Sequence, residues 1–142
     1  MLKFVFLSSD FYEDHIEDKE IEQKASRPYA QVHIVVNGVL WCIPLRSNIN
    51  HKYAIWTDKE NHCGLDLSKA VVITDPERHI DTSLQPHIRD NEFKQLKKIS
   101  EYWVAKKLLG YIEEYKEAKQ HPDTKHNQIL KYSTLQYFET YI

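Results

Sequence analysis

The sequence predicts an α+β chain: a small, curled antiparallel sheet followed by helices. Two observations carry this. From Lys3 to about residue 82, short β-branched and aromatic runs alternate with turn signals. From Asp90 onward the apolar residues recur at helical spacing instead.

The elements follow in order. Lys3-Phe4-Val5-Phe6-Leu7 reads as a first strand. Ser8-Ser9-Asp10 supplies helix caps, and Glu13, Asp14, Glu17 and Asp18 favour the positive end of a helix dipole. A short exposed helix from Asp10 therefore fades into a loop near Gln23. Tyr29–Val36 and Val39–Leu45 flank Asn37-Gly38, a pair suited to the positive φ values of a tight hairpin. Pro44 lies near the end of its strand, where a missing N–H costs least. Tyr53–Thr57 predicts another strand, Asp58–Asn61 a polar turn, and Lys69–Thr74 a strand stopped by Asp75-Pro76. His79–Thr82 adds a short strand. Phe93, Leu96, Ile99, Trp103, Leu108, Tyr111, Ile112 and Tyr115 then follow one helical period, capped at Asp90 and ended by Gln120-His121-Pro122-Asp123, with Gly110 as a kink or break. Phe93, Trp103 and Tyr111 form a stripe expected in the core. Thr124 caps a last helix through Tyr137.

The bulk numbers exclude several classes. At 142 residues a single domain, 1–142, is expected, and an apolar fraction of 42% supports a real core. A net charge of -2 argues against a polycation that coats nucleic acid. Its distribution is uneven: residues 1–26 hold 3 basic and 7 acidic side chains, whereas residues 87–131 hold 10 and 7. An anionic partner meets the middle and the C-terminal half. Cys42 sits in an apolar run and Cys63 follows His62 without further ligand spacing, so neither a disulfide framework nor a metal site is expected, nor any cofactor. No signal peptide and no membrane span is read, and reduced cysteines fit a cytoplasmic protein without a membrane partner.

Residues 24–57 contain no Asp or Glu. They hold Lys24, Arg27, Arg46 and Lys52, with His33 and His51. Cations, a hydroxyl and an imidazole thus gather at the two ends of a hairpin where nothing negative in the segment competes. Such a place suits a phosphate, since Arg offers a planar donor fork and Lys a point charge. The plainer reading is an ordinary hairpin with basic loops.

The same residues carry a resemblance. Lys3-Phe4-Val5-Phe6-Leu7-Ser8-Ser9-Asp10-Phe11-Tyr12, Arg27-Pro28-Tyr29, Asn37-Gly38, Pro44-Leu45-Arg46-Ser47 with His51-Lys52-Tyr53, and Gly64-Leu65-Asp66-Leu67-Ser68-Lys69 together resemble the toxins of type III toxin–antitoxin systems. This is the ToxN/AbiQ superfamily, and the likeness is closest to its TenpN branch. The resemblance implies a metal-independent endoribonuclease leaving 2′,3′-cyclic phosphate and 5′-hydroxyl ends. It implies a barrel-like, strongly twisted sheet with helices, related to MazF and Kid, beside the short N-terminal helix and two C-terminal helices that the residue pattern itself predicts. It also implies an RNA antitoxin of pseudoknot repeats, processed by the toxin and closing with it into a hetero-oligomeric assembly, and a role in phage defence with cellular or phage RNA as substrate. The family's basic residue before the hairpin falls on Arg27. Its Thr-Ser pair falls on Arg46-Ser47, its following lysine on Ile49, and its N-terminal active-site tyrosine on Phe11, beside Tyr12.

Metal-free RNA cleavage needs a proton acceptor for the 2′-OH, neutralisation of the phosphorane, a proton for the leaving 5′-oxygen and in-line placement of the strand. On these requirements His51 is the proton-transfer residue, because histidine is the natural acid or base near neutral pH. Arg27, Arg46 and Lys52 clamp the phosphate, Ser47 bonds a non-bridging oxygen, and Tyr29 or Tyr12 stacks on an unpaired base. Lys94, Lys97, Lys98 and Lys106 form a helical face suited to antitoxin phosphates. Against each stands a structural role: Arg27 paired with an upstream acid, His51 a loop histidine, Tyr29 a packing residue, the lysine face merely solvated. A non-catalytic RNA-binding module, or a MazF-like ribonuclease with a protein antitoxin, are the alternatives.

Overall fold

The computed structural model of the chain describes residues 2–21, 29–121 and 127–142. The first strand, β1 (Lys3–Leu7), runs into α1 (Ser9–Asp14), whose first turn is closed by Ser8: its Oγ accepts from the Phe11 amide at 3.2 Å. The Asn37-Gly38 turn takes φ values of 51° and 78°. That handedness matches the right-handed twist of the strands it joins, β2 (Gln31–Val36) and β3 (Val39–Arg46). They pair antiparallel from Gln31↔Pro44 to Val36↔Val39.

β3 is the spine of the sheet. One edge pairs with β2. Along its other edge, Trp41 and Cys42 pair with β6 (Val71–Val72), and Leu45 and Arg46 pair with β5 (Cys63–Asp66). Beyond β5 lies β4 (Ala54–Asp58), and beyond β2 lie β1 and then β7 (Ile80–Asp81). The resulting order is β4-β5-β3-β2-β1-β7, with β6 on β3, antiparallel throughout. Among the described residues the sheet is open, with β4 and β7 at its edges. A close backbone approach occurs at Gly64, where an added Cβ would lie 2.4 Å from the Ile55 carbonyl oxygen, beside the irregular pairing of Trp56 and Asp58.

The expected strand at Lys69–Thr74 is shorter than read: a 3₁₀ turn, Leu67–Lys69, precedes β6. Asp75-Pro76 stops that strand as expected, and it also starts α2 (Pro76–His79), with Asp75 accepting from the Arg78 amide at 3.4 Å. Arg78 grips Asp14 through Nε and Nη2, at 2.9 and 3.0 Å, tying α2 to α1.

The single long helix read from Asp90 is two. α3 (Asp90–Leu96) ends in a turn, and α4 (Glu101–Gln120) restarts where Ser100 Oγ accepts from the Trp103 amide at 3.1 Å. Gly110 does not break α4, because the helix runs on both sides of it. Val104, Leu108, Tyr111, Ile112, Tyr115 and Ala118 bury one face of α4 in the same core as Val32, Trp41, Ile43 and Leu65. α5 (Asn127–Tyr132) and a 3₁₀ turn at Thr134–Tyr137 complete the order; Thr124, expected as the cap, lies outside the described residues. The last turns dock by hydrogen bonds. Ser133 Oγ accepts from the Tyr111 hydroxyl at 2.7 Å, and Thr134 Oγ1 is within bonding reach of the Ser68 carbonyl, at 3.1 Å, and of the Ala70 carbonyl. Among the described residues no helix is long and apolar enough to cross a membrane.

Candidate functional site

The carboxylate-free segment is completed from elsewhere in the chain. Asp66 ends β5, next to the end of β3, and its side chain is fully buried. A buried carboxylate must be held by donors, and here it gathers the site. Arg46 Nη1 donates to Oδ2 at 2.6 Å. The Ser68 amide and hydroxyl donate to Oδ1 at 3.0 and 2.6 Å. His51 Nε2 lies 3.2 Å from both Asp66 Oδ1 and Ser68 Oγ. Burial pushes the Asp66 carboxyl up, but the bonds from His51 and Ser68, with the charge that His51 carries when protonated and that of Arg46, outweigh it and hold the group below its usual range.

The tautomer of His51 follows from its neighbours. Nδ1 lies 3.0 Å from the Tyr53 amide, which can only donate, so Nδ1 accepts and the proton of the neutral ring sits on Nε2, aimed at Asp66 and Ser68. Both ring nitrogens are thus engaged. The arrangement orients the imidazole as a carboxylate–histidine pair does.

A cavity of about 250 Å³ opens beside this cluster, lined among others by Arg46, His51, Tyr53, Ser68 and half-exposed Tyr132. Lys69 also borders it, but its Nζ is committed to Glu20 and to the Tyr132 carbonyl.

The structure divides the residues singled out from the sequence. Arg46 and His51 share the cavity. Lys52 does not line it; this exposed lysine borders a neighbouring groove, with Nζ 5.4 Å from the Tyr53 ring centre. Ser47 is exposed and outside the cavity lining, since β3 ends at Arg46 and the chain turns through Asn48 at φ 57°. The serine at the centre is Ser68. Ile49, at the family's lysine position, is buried. Tyr29 lies under the Arg46 guanidinium, 5.6 Å from its ring centre. Tyr12 is corrected: at 6% exposure, packed edge-on against Phe11, its ring is part of the core and presents no face to a base. Arg27 lies outside the described residues. Lys94, Lys97 and Lys98 are exposed on α3 and the turn after it, away from the cavity lining, with Lys97 over the Phe93 ring. Lys106 is on α4, facing the groove that Lys52 borders.

Sequence reasoning missed Asp66 and Ser68. A signal was present: Asp66 is flanked by Leu65 and Leu67 in an apolar stretch, so it reads as a buried charge in need of a cation. The spacing Asp-x-Ser is that of a side chain capping the amide two residues on. No family model, no curated protein and no solved structure matches this chain.

Proposed function

We propose that this chain is a metal-independent endoribonuclease of the type III toxin kind, acting at the Asp66-centred cavity. The observation that supports it is one buried carboxylate holding a guanidinium and an imidazole together at the mouth of a nucleotide-sized cavity. In the reaction, the 2′-oxygen attacks phosphorus, a P–O2′ bond forms and the P–O5′ bond breaks. The 2′-OH proton passes to a base, and a proton is delivered to the departing 5′-oxygen. His51 is the proton-transfer residue: opening its bond to the Tyr53 amide frees the Nδ1 lone pair, while Asp66 steadies the imidazolium that forms. Arg46 neutralises charge on the phosphorane through the face not turned to Asp66. Tyr132, and Tyr53 on the inner wall, frame a base. Lys52 and Ser47 act, on this reading, on the flanking strand rather than on the scissile phosphate, and Arg27 keeps the phosphate-clamping role read from the sequence.

The sheet, in this proposal, is a relative of the twisted barrel-like sheet of MazF and Kid. The partner is a pseudoknot-repeat RNA antitoxin in a closed assembly in the cytoplasm, touched by Lys94, Lys97 and Lys98. One observation favours a second reading, a non-catalytic RNA-binding module: both nitrogens of His51 are already bonded.

Cleavage of a defined single-stranded RNA in EDTA, with analysis of product ends, separates the two. Cyclic-phosphate ends from wild type, lost in His51→Ala and retained in Ser47→Ala, support the ribonuclease. Salt-sensitive binding without cleavage supports the binding module. Thermal melts of each variant guard against loss of fold.

A further inference from the structure

A second concavity, of about 380 Å³, adjoins the first; Tyr53 and Tyr111 line both. Its floor is one stripe of α4: Trp103, Lys106, Lys107, Gly110 and Glu114, spaced by three or four residues. Its far wall is Lys52 and Tyr53. Trp103, placed by periodicity in the core, is 40% exposed. Lys107 and Lys106 rest on its ring, with Nζ 4.8 and 5.9 Å from the centre. Gly110 leaves an opening, since an added Cβ there meets nothing within 4 Å.

We infer that this groove seats a nucleotide of the substrate strand adjacent to the scissile one, with a base stacked on Trp103 and Lys52, Lys106 and Lys107 on the flanking phosphates. The inference rests on the ribonuclease reading for what lies next door, and on the groove's own composition for the ligand. Three lysines outweigh its single carboxylate, Glu114, which interacts with the Tyr53 hydroxyl and whose Oε2 is buried without a hydrogen-bond partner. A large indole face beside long, adaptable cations is what a single strand requires: stacking accepts any base, and the charges follow the backbone. An exposed lysine–indole pairing is weaker than stacking of a base on an aromatic ring. An incoming base therefore displaces Lys106 and Lys107 from the indole toward the phosphates. A duplex, whose bases are already stacked, offers nothing to Trp103.

The test is binding, so that it does not depend on turnover. A single-stranded octanucleotide and a duplex of equal length are titrated against wild type, Trp103→Ala, Trp103→Phe, Lys106→Ala/Lys107→Ala and Gly110→Phe, each checked by thermal melt. Trp103→Ala is expected to weaken single-strand binding about tenfold, with Trp103→Phe restoring most of it. The double lysine variant flattens the salt dependence by roughly 0.7 in slope for each phosphate it no longer neutralises. Gly110→Phe removes no functional group and fills the groove, so it weakens binding by obstruction alone. Unchanged affinity in both Trp103→Ala and Gly110→Phe, or weakening confined to the duplex, overturns the inference. If wild type cleaves nothing but these binding effects appear, the ribonuclease reading fails and the groove stands. If wild type cleaves and the effects are absent, the groove fails and the ribonuclease stands.

Discussion

The cavity at Asp66 and the groove along α4 share a wall of two tyrosines and are built on opposite principles. The cavity is held by a buried carboxylate with four polar hydrogens converging on it from three segments of chain. Its geometry is fixed by the fold, and each member is costly to remove. The groove is lined largely by one stripe of α4 faced by Lys52 and Tyr53, its lysines and Trp103 are exposed, and α4 is anchored by its buried face. Chemistry needs the first kind of place, because reacting atoms must be held. Tracking a flexible strand needs only the second.

Four measurements press on this contrast. Asp66→Ala leaves Arg46 beside an uncharged pocket, and denaturant unfolding should show a destabilisation of about 3–5 kcal/mol. A stable Asp66→Ala protein would mean the cavity is no more built than the groove. Acid titration of wild-type stability probes the same group more gently. The Asp66 carboxyl lies below its ordinary value in the folded state, so its contribution is present above the unfolded pKa of about 3.9 and is lost as pH falls below that. Thr134→Val removes the hydroxyl from the Ser68 and Ala70 carbonyls at a buried position. A cost of about 1–3 kcal/mol is expected in the same unfolding assay. Lys107→Ala should change stability by no more than about 0.5 kcal/mol, because it gives up only an exposed cation–π interaction.

The sequence discloses the two regions unequally. The hairpin was legible because Asn37-Gly38 has a local mechanism, and α1 because Ser8 caps it locally. The join between α3 and α4 was not. Phe93, Leu96, Ile99 and Trp103 keep an unbroken spacing of three or four across it, so the period hides the restart that Ser100 caps. β5 was missed because its four residues, Cys63–Asp66, carry a glycine whose value lies in letting the Ile55 carbonyl approach, a fact about a neighbouring strand. The site followed the same rule. Arg46 and His51 stood out through the absence of nearby acids, yet their acid comes from 20 residues beyond Arg46. Ser47 looked placed by adjacency, while Ser68 is placed by pairing of β3 with β5, which local pattern does not encode. Trp103 reads as core by period, and its exposure is decided by which neighbours α4 meets.

The bonds from Thr134 have a temporal meaning as well. They tie the loop carrying Ser68 to a segment 66 residues later, and Ser133 secures the same segment to Tyr111. Closing so long a loop is entropically late in folding. A folding chain can therefore hold a formed sheet with an unfinished cavity, and the candidate chemistry becomes available only when the segment carrying Ser133 and Thr134 docks.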